Sequence, residues 1–63
     1  MIFETIKRLC KDRNVSIYEL EKSCGFTVGT VVKWRNSIPR ADRLKMVADY
    51  FGVTVEQILE GTA

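Results

Sequence analysis

Two helical patterns meet between Leu20 and Trp34 with almost no chain between them. The first opens at Ser16, where Ser16 and Glu19 form an S-x-x-E capping box. In such a box each side chain satisfies a free backbone N–H. Val15 before the cap and Leu20 after it are spaced for a hydrophobic staple. The pattern runs to Cys24 and stops at Gly25, a residue suited to the left-handed position just past a helix end. Only Phe26 and Thr27 follow before the apolar spacing resumes at Val31 and Trp34. Thr27 is a good N-cap, and Phe26 and Val31 repeat the staple spacing. The second helix of the pair is expected over roughly 28–36, closed by Asn36, Ser37 and Pro39. So short a connection with glycine at the turn forces a sharp angle between the helices, not an antiparallel hairpin. Leu20 and Cys24 then face inward from the first helix, and Val31 and Trp34 from the second.

The rest of the chain keeps the helical period. Ile2, Ile6, Leu9 and Cys10 predict a first helix over 2–13, stopped near Asn14. After a loop over 37–41, Leu44, Val47, Ala48 and Phe51 recur at i, i+3, i+4 and i+7 in a fourth helix ending at Gly52. Thr54 and Gln57 form a second capping box, with Val53 and Ile58 as its staple. That last, short helix runs to Glu60 and stops at Gly61. No stretch alternates as a strand would. The expectation is one compact all-α domain of five helices over residues 1–63, with a helix-turn-helix at about 16–36. A chain of 63 residues buries only roughly 60% of its unfolded surface, so no large cleft is expected.

Composition removes several function classes. No apolar run approaches the ~20 residues that span a membrane. Glu4, Lys7 and Arg8 interrupt the first apolar pattern, so it is not a signal peptide, and a cytoplasmic protein is expected. Cys10 and Cys24 have no metal-type spacing and no histidine to complete a site, and they read as small core residues. With no Gly-rich phosphate loop and no base beside either cysteine, no enzyme, cofactor or small-molecule substrate is expected. The net charge is only +2, but it is unevenly placed. Lys33, Arg35, Arg40, Arg43 and Lys45 face Asp42 alone in the middle, whereas Asp49, Glu56 and Glu60 make the tail acidic. A basic middle of this kind suits a polyanion. The outer face of the helix expected over 28–36 carries small and polar groups with one lysine, and a major groove about 12 Å wide admits such a helix.

Here the chain resembles the lambda-repressor-like, or XRE-type, helix-turn-helix proteins of phages and bacteria. The resemblance rests on S-I-Y-E-L-E-K-S-C-G-F-T-V-G-T-V-V-K-W-R-N-S over 16–37 and P-R-A-D-R-L-K-M-V-A-D-Y-F-G-V-T-V-E-Q-I-L over 39–59. The second segment is similar to small repressors of Gram-positive bacteria and their phages. The resemblance implies sequence-specific binding of double-stranded DNA by a repressor, with the 28–36 helix in the major groove. It implies that Thr27, Val28, Gly29 and Lys33 face base edges, and that Thr30, Asn36, Ser37 and Arg40 contact phosphates. A homodimer on two half-sites is a further expectation.

Three positions depart from the family pattern. Glutamine is common where Ile17 stands; isoleucine cannot reach phosphate or base, though its backbone N–H at a helix start can. Alanine is common where Glu21 stands, at a close helix approach. Glutamate there is expected to snorkel outward or to push the helices slightly apart. The arginine–glutamate pair often buried in the family falls at Cys10 and Arg35, and both partners have changed. Ile17 and the valines at 28 and 32 leave an alternative open: the same fold serving as a protein-interaction module, such as an antitoxin or the target of an antirepressor.

Overall fold

A computed structural model describes residues 2–63. Among these residues the chain forms four α-helices, one short 3-10 helix and no strand. The helix α1 spans Ile2–Asp12, α2 spans Ile17–Cys24, α3 spans Ala41–Phe51 and α4 spans Val55–Glu60. The 3-10 helix, Val32–Arg35, lies between α2 and α3.

Local chemistry sets most of these boundaries. The helix α1 buries Phe3, Ile6, Leu9 and Cys10 on one stripe. It stops where Asn14 takes φ 59°, a left-handed conformation that asparagine tolerates. The N–H of Val15 then donates to the Cys10 carbonyl at 2.9 Å and turns the chain toward α2. Both capping boxes form: Ser16 with Glu19 at 2.9 and 3.0 Å, and Thr54 with Gln57 at 2.9 and 3.0 Å. At the end of α2, Gly25 sits at φ 77° and the N–H of Phe26 returns to the Glu21 carbonyl at 2.8 Å. This closure satisfies the last carbonyls of α2. The Phe26 ring then meets Trp34 edge-on, with centroids 6.0 Å apart.

One core joins all elements. Phe3, Ile6, Leu9, Cys10, Leu20, Val31, Trp34, Leu44, Val47, Ala48, Phe51 and Ile58 are buried together. The helix α1 packs on the 3-10 helix and on α4, while α3 packs on α2 and α4. Cys10 is buried, Cys24 is half-buried, and both are free thiols. Burial pushes both thiols above their ordinary range, and the charge of Glu19 pushes Cys10 further. They therefore stay protonated at neutral pH and act as small apolar residues. Among the described residues no helix is long and apolar enough to cross a membrane.

The α-helix expected over 28–36 does not form, so the five-helix count is corrected to four α-helices and a 3-10 turn. Residues 28–31 are turns, and regular helical structure begins only at Val32. Every residue from 27 to 32 except Gly29 is β-branched, and such side chains lose rotamer freedom in an α-helix. Gly29 itself takes φ 93°, which no α-helix contains. The expected N-cap at Thr27 is also absent: no side chain caps the 3-10 helix locally. That function falls to a residue of α2.

Candidate nucleic-acid interface

Glu21 holds the turn between α2 and the 3-10 helix from behind. The expectation that its side chain would snorkel outward is overturned, because Glu21 is only 2% exposed. Its two carboxylate oxygens accept the N–H of Gly29 at 3.2 and 3.1 Å. One of them also accepts the N–H of Val31 at 2.9 Å. Hydrogen bonds to an ionised acceptor are about twice as strong as neutral ones. Here they satisfy two amides that would otherwise be orphaned at a helix start. Among the described residues, no buried side-chain nitrogen or oxygen lacks a partner. The helices need not separate, because the carboxylate fills the space and uses its charge.

The positions singled out from the sequence follow one another from the end of α2 to the start of α3. Thr27 is exposed, and Val28 is exposed at 69%. Gly29 is half-buried with its N–H already given to Glu21. A Cβ built on it would meet nothing within 4 Å, so the positive φ is what selects glycine there. Thr30 is covered, at 8% exposure, and its N–H donates to the Thr27 carbonyl at 3.1 Å. It lies beneath the surface instead of on it, because the turn rotates it away from the face that a straight helix would give it. Lys33 is exposed and makes no ion pair among the described residues. Asn36 and Ser37 are exposed just past the 3-10 helix, and the Ser37 hydroxyl donates to the Lys33 carbonyl at 2.9 Å. Arg40 is exposed and lies 3.6 Å from Asp42.

The remaining cations of the basic middle are more engaged. The Arg35 guanidinium stands over the Phe3 ring at 4.7 Å, and that of Arg43 over Phe26 at 5.9 Å. The Nζ of Lys45 is 2.7 Å from Asp49. The pair of positions at Cys10 and Arg35 is thus resolved without a buried charge: Cys10 joins the core, and Arg35 lies at the surface against an aromatic face. Within the basic middle, and among the described residues, Lys33 is left without an ion pair or ring contact, and Val28, five residues earlier, is likewise exposed. A lysine of this kind can donate to guanine O6 and N7 or to a phosphate, and a bare valine can pack on a thymine methyl. The exposed Asn36 amide suits phosphate oxygens, and the Ser37 hydroxyl can do so on exchanging its bond to the Lys33 carbonyl for one to phosphate. Among the described residues no group of side chains could hold a metal ion.

Glu21 is the site residue that the sequence pattern missed. Its signal was an acidic residue directly after the inward-facing Leu20, set against a β-branched run with a single glycine.

No curated protein and no solved structure matches the chain. Residues 5–63 match the Cro/C1-type HTH DNA-binding domain, a span that takes in both capped helices, the turn held by Glu21 and every exposed position described above. With α2 and the 3-10 helix joined by a short turn, a single small core and a match running over nearly its whole length, the chain belongs to the family of Cro/C1-type HTH DNA-binding domains.

Proposed function

We propose that the chain is a sequence-specific double-stranded DNA-binding transcription regulator, acting as a repressor in the cytoplasm, with the 27–37 stretch set into the major groove. The observation that carries this reading is that a lysine without an ion pair among the described residues, Lys33, and a valine, Val28, are both exposed on one short stretch that Glu21 holds from behind. In it Thr27, Val28, Gly29 and Lys33 meet base edges, while Asn36, Ser37 and Arg40 meet phosphates. Thr30 supports the turn from below. Repression needs only occupancy, since a domain seated on a promoter excludes other proteins from the same groove. The similarity of the 39–59 segment to small repressors of Gram-positive bacteria and their phages supports that sign of regulation.

The longest dimension of the domain is 25 Å. At 3.4 Å per base pair this covers about 7 base pairs. One copy therefore reads a short half-site, and two copies are expected on an inverted repeat with centres about one helical turn apart. The exposed Val28, Val32 and Ile38 favour the competing reading, a protein-interaction module. Singly scattered exposed apolar residues are ordinary, however, and an unpartnered lysine in a basic stretch favours a polyanion.

Selection of bound sequences from random duplexes tests the proposal. A short enriched motif, repeated in inverted order, is expected. Affinity for it should fall with salt, with a logarithmic slope of about −0.9 per neutralised phosphate. No enriched motif together with salt-independent binding would contradict the reading.

A further inference from the structure

We infer that Glu21 is a specificity-setting positioning residue: by holding the Gly29 and Val31 amides from inside the fold, its carboxylate fixes the shape in which the 27–33 stretch meets bases. The inference rests on the proposed DNA-binding role and extends it to a residue that DNA never touches.

Three observations converge on it. The carboxylate is almost fully buried, yet it sits directly under the positions expected to read bases. Its bonds reach forward by eight and ten residues, so α2 dictates the backbone of the following turn through a side chain. Among the described residues no local bond takes up the Gly29 or the Val31 N–H. The 3-10 helix lacks a side-chain cap of its own, and Gly29 is free to leave φ 93° once its N–H is released. Local bonds in the turn run from the Thr30 N–H to the Thr27 carbonyl at 3.1 Å and from the Lys33 N–H to the Gly29 carbonyl at 3.3 Å, and leave the Gly29 and Val31 amides to Glu21.

The same bonds have an electrostatic consequence. Amides at a helix start commonly bind phosphate. Here those of Gly29 and Val31 are already spent on an internal anion, so phosphate binding falls to side chains such as Lys33 and Arg40. Loss of Glu21 therefore leaves the phosphate-binding cations in place. Sequence-independent affinity, which depends on those cations, should hold or rise slightly, while base discrimination falls. A purely stabilising residue would behave differently. Its loss would lower the unfolding midpoint but leave the ratio of specific to non-specific affinity unchanged in the folded fraction.

The test uses the full chain and two duplexes of equal length: the motif recovered by selection and a scrambled version of it. Glu21→Ala, measured where far-UV circular dichroism shows it folded, is expected to lose about tenfold in the ratio of the two affinities, the size of one misread base pair. The salt slope on the scrambled duplex should not change. Amide hydrogen exchange at Gly29 and Val31 should accelerate. Glu21→Gln, which keeps one accepting oxygen, should lose less of the ratio than Glu21→Ala. Gly29→Ala adds a methyl group to open space but forbids the positive φ, so it should lower the ratio without removing any charge. Gly29→Ala and Glu21→Gln also carry the test if Glu21→Ala does not fold. An unchanged ratio in these folded variants, with faster exchange at Gly29 and Val31, overturns the inference while leaving the DNA-binding reading intact. A wild-type chain that itself prefers neither duplex overturns both.

Discussion

Trp34→Ala is expected to cost the chain most of its stability. The indole is only 7% exposed, and it lies among the core residues that α1 brings against the 3-10 helix. Its ring also takes the edge contact from Phe26 that anchors the chain just after α2. Replacing a buried tryptophan by alanine costs about 3–5 kcal/mol, through lost transfer energy and the cavity left behind. A domain of this size sits near the low end of the usual stability range of about 5–15 kcal/mol. One substitution thus removes most of it. Trp34 is also the chain's only tryptophan, so tryptophan fluorescence cannot follow the variant, and urea unfolding read by far-UV circular dichroism is the appropriate measurement. A variant with the wild-type urea midpoint that had lost only DNA binding would make Trp34 a surface stacking group, contrary to its burial.

The contrast between Trp34 and its neighbours explains which parts of the fold were legible in the sequence. Ser16 with Glu19, and Thr54 with Gln57, were readable because a capping box is closed within four residues and needs nothing from the rest of the chain. The stripe of α3 was readable because Leu44, Val47, Ala48 and Phe51 all face one core. The burial of Val31 and Trp34 was also readable, but the helix type was not. Two residues three apart share a face in a 3-10 turn as well as in an α-helix, so their spacing could not separate the two. What decided between them was a contact from outside the segment, the Glu21 carboxylate on the amides of Gly29 and Val31. The spacing of Val31 and Trp34 does not encode that contact. The run of β-branched residues disfavours an α-helix there, whereas the staple spacing of Phe26 and Val31 fits one.

The same miss shifts the reading of single positions. On a straight helix Thr30 falls on the outer face beside Lys33, whereas the turn places it under cover. Gly29 takes φ 93°, which gives it a conformational reason to be glycine. Lys33 and Val28 stay exposed in both geometries. They are the two positions on which the DNA-binding proposal rests most directly.

Lys33→Ala should therefore show the second large effect. If the ammonium group donates to guanine O6 or N7, its loss costs about 1–3 kcal/mol on the preferred site and relaxes the preference at one base position. Val28, packed on an adjacent thymine methyl, would keep its own preference. A lysine bound to phosphate would behave otherwise: all sequences would weaken about equally, and the salt slope would fall by about one. Removing Lys33 breaks no internal ion pair among the described residues, so changes in binding report on the interface and not on the fold. The decisive measurement is equilibrium binding of wild type and Lys33→Ala to the selected site and to every single-base substitution of it. The account predicts that wild type discriminates at a guanine in each half-site and that Lys33→Ala loses discrimination at that position alone. Retention of the full wild-type affinity and preference by Lys33→Ala at every position would contradict it.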